Sequence, residues 1–127
     1  HRLTNISGSS KYLLGGVVSY SNDIKIVEVG VKKETIIVHG AVSKQTAGEM
    51  ARGIQRKFQT DIGIGITGIA GPTGGTDEKP VGLVFIGLAI KDKLIVKRFQ
   101  FVNDRKANKL LSSQTALNML RLQLQDE

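Results

Sequence analysis

The 127-residue chain has no cysteine and no tryptophan, only two prolines, and six aromatic residues in all, two Tyr and four Phe. The missing cysteine excludes a disulfide framework, a thiolate metal site and a cysteine nucleophile. Six aromatics are too few for the stacking platform on which single-stranded nucleic acids are bound. No apolar run approaches the roughly 18–20 residues that a membrane-spanning helix needs. The opening His1-Arg2-Leu3-Thr4-Asn5 lacks the charged-then-apolar pattern of a secretory signal. The expectation is therefore a cytoplasmic protein with no membrane and no nucleic-acid partner. The absence of an initiator methionine suggests processing, a fragment or missing residues. Histidine is scarce too. His1 and His39 have no Asp, Glu or His partner at ligand spacing, so no metal site is expected. A Ser-His-Asp triad would need His39 as its base, and its place beside Gly40 reads as capping.

What is present describes an ordinary globular domain. Hydrophobic residues make up 40%, charged residues 23%, and mean hydropathy lies near zero. The length fits one domain spanning residues 1–127, able to bury roughly two-thirds of its unfolded surface. Eighteen Lys and Arg against eleven Asp and Glu give a net charge of +7 and a pI near 9.9. The cations are scattered in Lys32-Lys33, Arg52-Arg56-Lys57, Lys91-Lys93-Lys97-Arg98 and Arg105-Lys106-Lys109. That scatter reads as a solvated cationic surface, and a basic nucleic-acid binder is the weakest alternative.

Residues Arg2 to Ile6 read as a helix tail ended by Ser7-Gly8-Ser9-Ser10. Leu13 to Tyr20 reads as a strand loosened by Gly15-Gly16, a pair that signals a bulge or close approach of another group. Ser21-Asn22-Asp23 can cap a short helix from about Ile24 to Val29, and a second short helical or irregular piece covers Lys33 to Val38. Ser43 is a good N-cap for the clearest helix, in which Ala47, Met50, Ala51, Ile54 and Phe58 form one apolar stripe. Gly48 and Gly53 each cost about 1 kcal/mol there, so packing must carry it. Ile62 to Ile66 alternates isoleucine and glycine, a strand with one bare face. Val81 to Ile90 is a near-continuous apolar run, and Lys91-Asp92-Lys93 turns it into an antiparallel partner over Leu94 to Val102. Asn103 or Asp104 then caps a last helix whose Ala107, Leu110, Leu111, Leu117 and Leu120 share a face. The alternation of elements predicts an α/β layered domain around a mixed sheet.

Three motifs bear on chemistry. Gly63-x-Gly65-x-x-Gly68 has the letters of a dinucleotide fingerprint, but its first two glycines lie inside a strand and no helix follows. The formal glycosylation triplet Asn5-Ile6-Ser7 is read as chance. The stretch Thr67-Gly68-Ile69-Ala70-Gly71-Pro72-Thr73-Gly74-Gly75-Thr76 has five Gly or Pro and three hydroxyls in ten residues. It follows the carboxyl end of a strand, where ligands of α/β sheets bind, and bare glycine N–H groups with Thr hydroxyls can hold an anion. It lacks the Gly-Lys-Ser/Thr ending of a P-loop. The alternative is a long structural loop. In Tyr20-Ser21-Asn22-Asp23-Ile24-Lys25, a strand end followed by a helix start lets Tyr20 and Lys25 converge. A lysine buried there without a carboxylate partner would lose its charge readily and act as a base. A solvated surface lysine is the alternative.

Together, Leu-Leu-Gly-Gly-Val-Val-Ser-Tyr-Ser-Asn-Asp-Ile-Lys (13–25), His-Gly-Ala-Val-Ser (39–43), Thr-Gly-Ile-Ala-Gly-Pro-Thr-Gly-Gly-Thr-Asp-Glu-Lys-Pro-Val-Gly (67–82) and Asp104-Arg105 resemble the C-terminal domain of CinA, the competence/damage-inducible family, which includes nicotinamide-mononucleotide deamidases. The resemblance runs in order through nearly the whole chain. It implies a three-layer α/β/α sandwich and hydrolysis of nicotinamide mononucleotide to nicotinic acid mononucleotide and ammonia. It also implies a serine nucleophile activated by a lysine, with a tyrosine nearby and no cofactor. By position Tyr20 and Lys25 match the family's tyrosine and lysine. Thr67, Gly68, Ala70, Gly71, Gly74, Gly75 and Thr76 match the loop that would hold phosphate and ribose, and Arg105 is a candidate for the anionic end. The family's serine lies in a Glu-Ser-x-Thr-Gly-Gly motif, which these residues do not contain. The expectation is that the first strand, the serine and the start of the first helix lie upstream. The alternative is a non-catalytic nucleotide-binding module. Asn108-Lys109 stand where the family tends to carry arginine, which bears on phosphate selectivity. A homo-oligomer is expected from the family's habit.

Overall fold

The computed structural model describes residues 1–126. Two short 3₁₀ turns, Arg2–Asn5 and Ser9–Lys11, lead into an extended stretch. Then come helices α1 (Asn22–Val27), α2 (Lys33–His39) and α3 (Lys44–Phe58), strands β1 (Ile62–Gly68), β2 (Leu83–Ile90) and β3 (Lys93–Gln100), and helix α4 (Arg105–Gln125). The three strands form one sheet in the order β1-β2-β3. Both pairings are antiparallel, with Gly65 opposite Gly87 and Gly87 opposite Val96.

Alternation of side chains along a strand assigns the two faces. Gly63, Gly65 and Gly87 lie toward α3, where a Cβ at Gly65 would stand 2.6 Å from the Ala47 carbonyl oxygen. The helix therefore rests its backbone directly on the sheet, through the buried stripe Ala47, Gly48, Met50 and Ala51. Gly53 plays the same part on α3's other side, where a Cβ would collide with the Val29 carbonyl. Both helix glycines lose helical propensity and allow close contact in return. On the opposite face Val84, Ile86, Leu88 and Ile90 meet Ala116 and Met119 of α4, with Ile62, Ile64, Ile95 and Phe99 around them. Two helical layers flanking one sheet make the expected α/β/α sandwich. A smaller cluster of Val29, Val31 and Met50, joined by Val17, Ile36 and Ile54, packs the first helices against the outer side of α3.

The caps follow the sequence. Ser21 Oγ accepts from the Ile24 N–H at 3.2 Å, Ser43 Oγ from Thr46 at 3.1 Å, and the Asp104 carboxylate from Ala107 at 2.9 Å. Three expectations need correction. Residues 13–20 run extended but pair with no strand among the described residues, so the sheet is antiparallel where a mixed one was expected. Val17 packs on the small cluster, and Gly15 lies against the Phe58 ring, the close approach that the glycine pair signals. The buried stripe of α4 is Asn108, Ser112, Ala116 and Met119, whereas Leu110 is exposed. Two polar residues take the place of leucines because this part of α4 faces a loop.

Candidate active site

The loop after β1 is tied down at both ends. Thr67 faces α3, and its Oγ1 donates to the Ala41 carbonyl at 2.6 Å. Thr76 closes a turn at the other end: its N–H donates to the Lys79 carbonyl at 2.8 Å and its Oγ1 accepts from the Lys79 N–H at 3.0 Å. Lys79 Nζ in turn donates to the His39 carbonyl at 2.6 Å, at the C-terminal end of α2, where a cation is favoured. Gly71 and Gly74 have φ of +90° and +93°, a region that side chains avoid. Between the ends, the N–H groups of Ala70, Gly71, Thr73, Gly74 and Gly75 have no acceptor among the described residues. Unpaired, glycine-bared donors of this kind suit an anionic oxygen.

The start of α4 holds the loop from the side. Arg105 donates from one terminal nitrogen to the Gly71 carbonyl at 2.9 Å and from the other to the Tyr20 hydroxyl at 3.4 Å. Asn108, only 1% exposed, donates from Nδ2 to the Ala70 carbonyl at 3.0 Å and to the Asn103 carbonyl at 2.9 Å. A cavity of about 210 Å³ opens beside these contacts, lined by Ile66, Gly68, Ala70, Val84, Asn108 and Ser112, among others.

Lys25 sits in the short helix α1 and is buried, with Nζ donating to the Ser19 carbonyl at 2.7 Å. Burial removes water from the ammonium and holds its pKa below the usual lysine value. No carboxylate pairs with it among the described residues, where the one ion pair is the exposed Lys57–Glu28 contact at 3.1 Å. Tyr20 is exposed. Thus Tyr20, Arg105, Ala70 and Gly71 are brought together, with Lys25 attached through the backbone at Ser19. No hydrogen bond joins the Lys25 amine to the loop directly. Thr67 and Thr76 spend hydroxyl contacts within the fold. Gly74 and Gly75 lie in the loop's outer part, where a Cβ at Gly75 would stand 2.7 Å from the Val81 nitrogen.

Sequence reasoning touched Asn108 only through the resemblance, as a position bearing on phosphate selectivity, and did not assign Lys79 to the site. The signal for Asn108 was that departure from the family's arginine. Lys79 had none, because its partner is a backbone carbonyl 40 residues away. No group of three His, Asp or Glu that could hold a metal occurs among the described residues. No helix among them is long and apolar enough to cross a membrane.

Fold and loop together define an α/β/α domain with a glycine-rich loop anchored on the first turn of its last helix. The chain belongs to the CinA family: residues 1–124 match the CinA C-terminal domain. It is 52% identical over 125 residues to a CinA-like protein of Chloroherpeton thalassium, covering 95% of this chain and 30% of that protein. A CinA-like protein of Syntrophomonas wolfei is 49% identical over 124 residues, covering 98% of this chain and 30% of that protein. The crystal structure of the competence/damage inducible protein CihA from Agrobacterium tumefaciens is similar at a TM-score of 0.91 with 39% identity, over 94% of this chain and 73% of that one. The chain thus spans about 30% of the length of these curated relatives.

Proposed function

We propose that this domain serves an amidohydrolase that converts nicotinamide mononucleotide and water to nicotinic acid mononucleotide and ammonia, with a serine nucleophile supplied from outside these 127 residues. The reading is supported above all by one observation: Arg105 bridges Tyr20 to the glycine-rich loop, beside a lysine whose charge burial disfavours. In this mechanism the neutral Lys25 amine takes the serine proton as the oxygen attacks the carboxamide carbon. The C–N bond breaks, and nitrogen leaves as ammonia with the proton returned by Lys25. Lys25 then activates water to cleave the acyl ester, freeing the acid and the serine. Tyr20 relays or tunes the proton. The free N–H groups of residues 70–75 hold the phosphate, and Arg105 adds charge at the anionic end. The chemistry needs neither metal nor cofactor. A homo-oligomeric assembly belongs to the same reading.

The test is ammonia release by the full-length protein. Lys25→Ala is expected to lower turnover at least about 100-fold, the usual share of a general base, while mononucleotide binding persists by calorimetry. The rate should rise with pH and level off above the folded pKa of Lys25, which lies below 10.5. Full turnover in Lys25→Ala would rule out the base assignment. Binding without ammonia in the unsubstituted protein would favour the nucleotide-binding module.

A further inference from the structure

Asn108 is an amide in the most buried stripe of α4, among Ser112, Ala116 and Met119. Both of its donor contacts go to carbonyls, Ala70 in the loop and Asn103 just before the helix. Its Oδ1 is buried with no partner among the described residues. An orphaned buried acceptor is unfavourable, and an aliphatic side chain in this place would carry no such penalty. The Nδ2 contacts are what an aliphatic residue could not supply. They act on the loop: one helical turn of α4 holds two successive loop carbonyls, Ala70 by Asn108 and Gly71 by Arg105.

That arrangement has a consequence at the next peptide group. In a trans peptide the C=O and the following N–H point in opposite directions. With the Ala70 carbonyl turned into α4, the Gly71 N–H is turned away from it, and that N–H has no acceptor among the described residues. We infer that Asn108 is a positioning residue that fixes the Gly71 N–H as an anion-holding donor, so that the loop meets a phosphate group with its donor already oriented. The inference rests on the mononucleotide reading for the identity of the anion, but not for the orientation of the loop.

Two measurements on the purified full-length protein separate these parts. Asn108→Ser shortens the side chain, and Asn108→Asp keeps its shape while replacing the donor with a carboxylate that the two carbonyls repel. In amide hydrogen exchange, both variants are expected to exchange the hydrogen-bonded amides at the loop's feet, Ile69, Thr76 and Lys79, at least tenfold faster, with β2 and α3 protected as before. Unchanged loop exchange, or faster exchange spread evenly through the domain, overturns the positioning role. Affinities for nicotinamide mononucleotide and for nicotinamide riboside, which lacks the phosphate, are then compared by calorimetry. The unsubstituted protein should prefer the mononucleotide, and the variants should lose at least tenfold of that preference while riboside binding is held. A preserved preference alongside a loosened loop overturns the donor role of Gly71. No preference in the unsubstituted protein, with the loop loosened in the variants, overturns the phosphate assignment and the reading on which it rests, while Asn108 remains the holder of the loop.

Discussion

The two faces of β1 are built by opposite means. Toward α4 the strand offers Ile62, Ile64 and Ile66; the first two pack among side chains from both layers, and Ile66 lines the cavity beside the loop. Toward α3 it offers Gly63 and Gly65, and the helix backbone comes down onto the strand. The first face is stabilised by apolar area removed from water, which scales with the atoms present. The second depends on atoms being absent. One strand thus tolerates loss badly on one side and gain badly on the other.

The largest expected effect comes from adding one carbon on the glycine side. Gly65→Ala places a Cβ against the Ala47 carbonyl and the Ala51 nitrogen, both backbone atoms that cannot rotate away. A loss of about 4 kcal/mol in chemical denaturation is expected, in the tail of single-substitution effects. A loss below about 1 kcal/mol would break the comparison, since α3 could then not be in backbone contact. On the other face of the sheet, Leu88→Ala in β2, opposite Ile64 of β1, removes a side chain that is 1% exposed in the α4 core. About 3 kcal/mol is expected there, from lost transfer energy and the cavity left behind. Asp104→Ala removes the cap of α4 without touching either face, and about 1 kcal/mol should be lost in the same assay. Glu28→Gln breaks the exposed pair with Lys57 and should change stability by less than about 1 kcal/mol, less still in high salt. If the last two exceeded the first two, the sheet faces would not be what holds this domain together.

Much of the fold was legible because its signals are local. The isoleucine–glycine alternation of 62–66, the apolar run into β2, the Lys91-Asp92-Lys93 turn and the caps at Ser43 and Asp104 all appear where their residues predict. Gly48 and Gly53 read as local defects in a helix, and only the tertiary contacts with Leu94, Val96 and Val29 explain them. Residues 13–20 show the converse failure. Their pattern is that of a strand, but a ladder needs a neighbour that no local pattern can specify. In the site, the loop stood out by composition, whereas spacing left Lys25 open to a solvated surface role and the resemblance paired it with Tyr20. The contacts that unite them, Arg105 with Gly71 and Tyr20, span 34 and 85 residues and leave no periodic trace. The resemblance drew attention to Asn108, but not to its contact, which is set by a carbonyl 38 positions earlier.

Thr67 and Lys79, at opposite feet of the glycine-rich loop, stand on either side of Gly40, at Ala41 and at His39, the last residue of α2. The excursion from 67 to 79 is therefore closed into a ring at its base, and its freedom is confined to the crest. Shortening the effective span lowers the entropy lost when a guest is enclosed. Because Gly40 lies between the two footings, with φ of +85°, the spacing of the two feet is set by the conformation of that one residue.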